Sequence, residues 1–309
     1  MSRLISRLFI LLNFLTNNLF TFNIRPKLEK DFYKVSNAYD HSELGVIIQG
    51  GIADIDFLIE TIKLYKKKIF PGSLIIVSTW SDESSIVFEK IKKLNLKIKL
   101  LISDKPDNHG IKNINLQILS TKNAVLWAQK NKIKYLIKTR TDQRIYATNC
   151  FHFLISILKI FPSISKKQKN RLIGISLNSF KRRLYGISDM FMFGSIEDMI
   201  KYWTPPLDER KYINYNNINS QLKYSKKKIC EVYLMTKYLE RINYSLKWTL
   251  QDSLKVYKNF FCIIDQVTID LYWNKYNTKE DKWKSYKKNQ LSEMKFKEWI
   301  CLYNKRISH

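Results

Sequence analysis

The sequence predicts an α/β fold: a Rossmann-type sheet, parallel in its first half and mixed in its second, flanked by helices in a single large domain. Three observations carry this. From Leu44 onward, short β-rich runs alternate with amphipathic stretches of helical length. The 309 residues, 45% of them hydrophobic, supply a sizeable core. Glycine and proline number only 8 and 6, too few for long flexible linkers.

The elements follow in order. LGVIIQG reads as a first strand, DIDFLIETIKLYKKK as a helix, SLIIVSTW as a second strand, ESSIVFEKIKKLN as a helix and LKIKLLISD as a third strand. Parallel strands need crossover helices, so βαβαβ implies a parallel sheet covered on both faces. INLQILSTKNAVLWAQKNK continues as a helix and KYLIKTR as a fourth strand that ends in charged residues. Beyond Tyr146 the pattern loosens. FHFLISILKIF is a helix stopped at Pro162, RLIGISLNS is strand-like, and SDMFMFGSIEDM leads into YWTPP, where the sheet is expected to turn mixed. Residues 208–228, polar and weakly periodic, read as a mobile loop before the helix CEVYLMTKYLERIN.

Residues 1–40 form a separate N-terminal segment ahead of a domain at 41–309. Its apolar run from Leu8 to Leu12 is far shorter than the roughly 20 residues that span a bilayer, and no Ala-x-Ala-type cleavage site follows it. On a helix, Asn13 and Asn17 fall on one side. Leu4, Leu8, Leu11, Leu12, Leu15 and Leu19 fall on the other, with Arg3 and Arg7 placed for lipid phosphates. A membrane-surface anchor is the reading preferred over a plain core helix. The 54 Lys and Arg against 27 Asp and Glu give a formal charge of +27, which suits anionic membranes, phosphate-bearing ligands or nucleic acid. Lysine is spread along the whole chain with Asn and Ile, as compositional bias alone would also produce, so the charge sets an environment and no function. The cysteines, at 150, 230, 262 and 301, have neither disulfide-framework nor zinc-ribbon spacing, which points to a reducing cytosol.

Ligands of open α/β sheets bind beyond the carboxyl ends of the strands. In KYLIKTRTDQRIY this places Asp142 at the sheet edge between Arg140 and Arg144. A carboxylate there can meet a metal or a ribose, and guanidinium forks match diphosphate oxygens, although an ion-pair cluster closing the strand would look the same. Gln49 and Gly50 after the first strand, Thr79 after the second, and Asn115 and Gln117 at the start of a helix complete a candidate donor side, with helix capping as the alternative for the last two. Further along, Asp189 heads an apolar strand and Glu231 opens a helix, and either can serve as a general base, although acids also favour a first helical turn for its dipole. Trp248 and Asp252 are candidates for a sugar platform and its polar partner on the acceptor side. No GxGxxG, Walker, HExxH, GxSxG, DFG or EF-hand pattern occurs.

Taken together, GVIIQG, IIVSTW, GIKNINLQILST, KTRTDQRIY, LYGISDMFMFG, EDMIKYW, EVYL, LKWTLQDS and KFKEWICLY resemble the WavE family of lipopolysaccharide-synthesis proteins, from about Leu44 to Tyr303. That resemblance implies a GT-A-like glycosyltransferase. Such an enzyme moves a sugar from a nucleotide-sugar donor to a lipopolysaccharide core or capsular polysaccharide acceptor, peripherally at the cytoplasmic face of the inner membrane. It also implies an Asp-x-Asp motif holding Mn²⁺ or Mg²⁺, but here the second aspartate position is Arg144. Asp142 is left as a lone candidate metal ligand, with Arg140 or Arg144 able to take over part of the metal's task. EVYL resembles the acidic element that supplies the base in some inverting GT-A enzymes, with Glu231 at the acidic place. No nucleic acid is expected as a partner. The alternative from another class, a non-catalytic polyanion or nucleic-acid binder, lacks a recognisable binding module.

Overall fold

The computed structural model describes residues 2–16, 24–32, 41–214, 218, 220–276 and 292–304 of the chain. An N-terminal helix α1 (Ser2–Thr16) precedes the α/β body. The body then runs β1 (Leu44–Gln49), α2 (Ile55–Leu64), β2 (Leu74–Trp80), α3 (Ser85–Lys92), β3 (Ile98–Ser103), α4 (Ile114–Lys130) and β4 (Tyr135–Arg140). After it come β5 (Gln143–Ile145), α5 (Cys150–Ile160), β6 (Leu172–Ile175), β7 (Met192–Ser195) and α6 (Ile196–Trp203). The chain continues with α7 (Gln221–Lys226), α8 (Glu231–Arg241), α9 (Leu250–Phe260), β8 (Phe261–Ile264), β9 (Leu271–Trp273) and α10 (Phe296–Asn304).

Seven strands form the main sheet in the order β3-β2-β1-β4-β7-β6-β8. The first four are mutually parallel, β7 runs antiparallel to both β4 and β6, and β6 pairs parallel with β8. The parallel-then-mixed sheet is the one the sequence predicts. Its central strands are apolar on both faces, with Val46, Ile47, Ile48, Ile75, Ile76, Val77, Leu136 and Ile137 fully buried, because helices cover both sides. Lys138 and Thr139 interrupt this run and are also fully buried. A lysine at that depth needs a specific environment.

The first crossover helix starts where local chemistry dictates. Asp54 caps α2 by accepting from the Phe57 amide at 2.9 Å. α4 begins without a side-chain cap, after an irregular turn described below.

Two features depart from the sequence reading. β5 and β9 form a separate antiparallel ribbon, Gln143 opposite Trp273. These strands have only three residues each, too short for a periodic signal. The stretch 208–228, read as a mobile loop, instead starts from a fixed point and contains α7. Buried Asp208 is gripped by Arg210, whose guanidinium also donates to the Lys227 and Lys228 carbonyls. Residues 215–217 and 219 of that stretch lie outside the described residues.

The predicted lipid-facing side of α1 is exposed at Leu8, Leu11 and Leu15, and joined by Ile10 and Phe14. Asn17 and Leu19, and the side chains of Arg3 and Leu4, lie outside the described residues. No described helix is long and apolar enough to cross a membrane.

Candidate functional site

Strand register brings the carboxyl ends of the central strands level, with Gln49 beside Ser78 on one side and Arg140 on the other. A cleft of about 500 Å³ opens there. Gln49, Gly50, Gly51, Arg140, Thr141 and Asp142 form its base, and Trp80 adds an aromatic wall. Lys112, Asn113, Leu116 and Gln117 approach from the start of α4, and Asn274 and Lys275 from beyond β9.

The backbone around the cleft is held by specific contacts. Gly50 has φ +116°, a conformation that side-chain-bearing residues rarely adopt, and its amide donates to the Ser78 carbonyl at 3.0 Å. The Thr141 hydroxyl donates to the Gly51 carbonyl, and the Ser120 hydroxyl donates to Gln49 Oε1 at 2.8 Å. Thr79 is fully buried and acts at one remove: it donates to Glu83, which accepts from the Ile52 amide. Lys112 and Asn113 both take left-handed conformations, φ 55° and 63°. Such residues cost of order 1–3 kcal/mol each and gather where function requires them. No periodicity marks them in the sequence. The one local hint is Gly110, whose own φ of 67° belongs to the same turn.

Asp142 is committed to its neighbours. Arg140 donates from Nε to Oδ1 at 2.9 Å and from Nη2 to Oδ2 at 3.1 Å, while the Trp273 indole donates to Oδ2 at 3.0 Å. Partial burial would raise the Asp142 pKa, but Arg140 and the indole outweigh it and hold the carboxyl below its ordinary value. Among the described residues no three His, Cys, Asp or Glu side chains converge as metal ligands would. A divalent ion held in the Asp-x-Asp manner therefore does not fit the residues present, since the one carboxylate of that motif, Asp142, is already spent on a cation.

Arg144 does not line the cleft. It is almost completely buried and lies over the Phe57 ring. Its Nε donates to the Thr61 hydroxyl, Nη1 to the Lys27 carbonyl and the Tyr146 hydroxyl, and Nη2 to the Phe57 carbonyl. These partners, on α2 and at Lys27, take up its donors, so its charge serves packing. Asn115 is likewise withdrawn: it donates to the Asn108 and Asp208 carbonyls and accepts from the Asp208 amide, tying α4 to the 208–210 turn. Asp252 and Trp248 are not brought to the cleft either. Asp252 accepts from the Tyr185 and Tyr244 hydroxyls and from the Lys247 amide, and Trp248 packs edge-on against Tyr185 at 5.3 Å. They form an internal hub.

Behind the cleft wall lies a buried charged cluster. Gln117 donates to Asp189 Oδ2 at 2.6 Å, and the Lys138 ammonium donates to the Asp189 carbonyl and lies 3.4 Å from Gln117 Oε1. Lys138 also lies 4.7 Å from the centre of the Trp203 ring. Its complete burial lowers its pKa to about 7, against an opposing pull from Asp189. Glu231, at the first position of α8, is raised to about 7 by burial and then by the Asp189 charge, with Arg183 pulling the other way from 3.4 Å. Arg183 is itself stacked between Phe180 and Tyr224. Asp189 and Glu231, the two candidate bases, thus share one site. Lys138, Arg183 and Trp203 are members that sequence reasoning missed. Only the lysine inside an apolar strand could have signalled them.

Among solved structures, the chain is similar to HddC from Yersinia pseudotuberculosis (15% identity, 56% of this chain and 83% of that one, TM-score 0.33). It is similar to the same protein complexed with GMP-PN (13% identity, 56% and 83%, TM-score 0.34). It is also similar to the mannosyltransferase PcManGT from Pyrobaculum calidifontis, in complex with GDP-Man and Mn²⁺ (9% identity, 61% and 52%, TM-score 0.38), of whose length it spans about half. No curated protein matches the chain in sequence. The family model for WavE lipopolysaccharide synthesis matches residues 45–309, the whole α/β body with both the cleft and the buried cluster, and the chain belongs to that family.

Proposed function

We propose that the chain is a GT-A-like glycosyltransferase that takes a sugar from a nucleotide-sugar donor in the cleft and passes it to a saccharide acceptor of lipopolysaccharide or capsular polysaccharide. One observation carries the reading: the cleft at the carboxyl edge of β1 and β4 is joined, through Gln117, to a carboxylate pair that includes a base tuned close to neutrality. Lys112, Arg140 and Lys275 offer positive charge to phosphates.

Glu231 is the general base of this reading. The acceptor hydroxyl gives its proton to the Glu231 carboxylate while its oxygen forms the new bond to the sugar's anomeric carbon. The bond from that carbon to the diphosphate breaks, and its electron pair stays on the diphosphate oxygen. Asp189 keeps Glu231 basic by its charge, and Lys138 holds the Asp189 backbone. The exposed apolar face of α1 and the +27 charge support work at an anionic membrane surface, as expected at the cytoplasmic face of an inner membrane.

The test is incubation of the purified protein with a panel of nucleotide sugars. Thermal stabilisation by one of them, with transfer to a delipidated core oligosaccharide lost in Glu231→Gln, is the expected result. Transfer at full rate by Glu231→Gln would remove the base assignment. Absence of stabilisation across the panel, with tight salt-steep DNA binding instead, would favour a polyanion binder.

A further inference from the structure

We propose that Lys112, Arg140 and Lys275 stand in for a divalent ion in the cleft and receive the charge of the departing diphosphate themselves. This rests on the reading that the cleft holds a nucleotide-activated donor.

The argument begins with the donor set. A divalent cation of the Mg²⁺ or Mn²⁺ kind needs several oxygen ligands. Asp142 is the carboxylate best placed to give them, yet both of its oxygens already accept hydrogen bonds, from Arg140 and from Trp273. Asp54, the other cleft carboxylate, is held by the Phe57 amide as the cap of α2 and by Asn274 Nδ2 at 3.2 Å. A guanidinium beside Asp142 also repels an incoming cation. Asp142 is therefore an orienting group for Arg140 rather than a ligand. The two-point contact through Nε and Nη2 fixes the plane of the guanidinium at the strand end, and a guanidinium carries five N–H donors, more than this contact uses.

The other two cations arrive by unusual routes. Lys112 reaches the cleft wall through a left-handed backbone, φ 55° and ψ 36°, followed by Asn113 at φ 63°. Lys275 reaches it because β9 pairs with β5 and the Asn274 amide donates to the Asp142 carbonyl at 2.8 Å. The chain thus converges from three elements, β4, the turn before α4 and the segment after β9, to place three positive side chains around one cleft. As the anomeric C–O bond breaks, the electron pair that collects on the diphosphate is met by these positive side chains, of which Arg140 is held in place beforehand by Asp142.

The experiment is calorimetric titration of the full chain with UDP, GDP, CDP and ADP, in excess EDTA and again with MnCl₂. It is paired with electron paramagnetic resonance of Mn²⁺ added to the protein with and without the same nucleotides. The expected result is one nucleoside diphosphate whose Kd agrees within about threefold between the two conditions, and a Mn²⁺ signal that the protein leaves unchanged beyond the nucleotide's own effect. Lys112→Ala and Arg140→Met should each weaken that binding about tenfold, with circular dichroism confirming the fold. Binding that requires Mn²⁺, or a protein-bound Mn²⁺ signal lost in Asp142→Asn, overturns the proposal and leaves the donor reading intact. Failure of all four nucleotides under both conditions overturns the donor reading, and this proposal with it.

Discussion

Gln117 and Asp189 stand 72 residues apart in sequence and meet through a hydrogen bond of 2.6 Å from Nε2 to Oδ2. It links the open cleft to the buried acid pair, because Gln117 lines the former while Asp189 belongs to the latter. Gln117 is also fixed at its other end, since the Lys138 ammonium faces its Oε1. The amide is therefore held in one orientation by a donor and an acceptor of opposite charge.

Gln117→Leu should leave the fold intact, because the residue is only half-buried, while removing this link. We expect kcat to fall about tenfold or more with a smaller change in KM. Gln117→Glu should do worse by setting a second carboxylate against Asp189. Steady-state kinetics on both variants checks this, and a pure KM effect would make Gln117 a simple donor contact.

The pH dependence follows from Glu231. With its pKa raised to about 7, the carboxylate form needed for proton abstraction dominates only above that pH, so the rate should fall on the acid side of neutrality. Stability titrates over the same range in the opposite direction. The folded-state value lies above the ordinary 4.5, so the protonated group contributes stability that is fully present below 4.5 and lost as pH rises through 7. Lys138 titrates in the opposite sense, between its folded value near 7 and its ordinary 10.5, and is common to wild type and variant. Melting temperatures of wild type and Glu231→Gln, compared from pH 4 to pH 8, should therefore diverge in favour of the variant as pH rises. A constant difference would contradict the burial of a titrating Glu231.

The sheet was readable from the sequence because short β-rich apolar runs, interrupted only by Lys99 in β3 and by the charged end of β4, alternate with amphipathic stretches of helical length. The candidate site was readable only in part. Position after a strand is a good guide to Gln49, Gly50, Arg140 and Asp142, all of which meet in the cleft. It is a poor guide to Arg144, because nothing in the string TRTDQRIY shows that Gln143 begins a new strand or that Phe57 and Thr61 of α2 take up the Arg144 guanidinium. Lys112, Asn113 and Lys275 were hidden for a different reason. Their placement depends on left-handed backbone angles and on a three-residue ribbon pairing across more than a hundred positions, neither of which leaves a periodic trace.

Arg144 offers the sharpest separation of structure from function. Arg144→Met keeps the length of the side chain and its contact with Phe57, but leaves the Thr61 hydroxyl and the Lys27 carbonyl without the Arg144 donor. Thr61 is fully buried, and a buried acceptor left unpaired costs about 1–3 kcal/mol, so a loss of that size is expected in urea denaturation. The folded fraction should keep its affinity for the nucleotide, because Arg144 faces away from the cleft. A large loss of affinity at unchanged stability would return Arg144 to the donor side.

The exposed face of α1 makes the last prediction. Successive residues on a helix are rotated by about 100°, so Leu8, Ile10, Leu11, Phe14 and Leu15 form one contiguous stripe. All are more than half exposed, Phe14 at 84%, and exposed Arg7 falls within the same face. A row of large apolar side chains turned to water with a cation among them matches the acyl boundary of an anionic bilayer, where the apolar groups leave water and the guanidinium meets phosphate. Vesicles containing phosphatidylglycerol should bind the full chain in a co-sedimentation assay, less at high salt as surface attraction is screened. Leu11→Glu with Phe14→Glu should reduce binding at least about tenfold, because two apolar contributions are lost and two negative charges face the membrane. Nucleotide affinity is the control and should not move, since α1 contributes no residue to the cleft lining. Equal vesicle binding by the double variant would show that the charge on the α/β body, and not this helix, holds the protein at the surface.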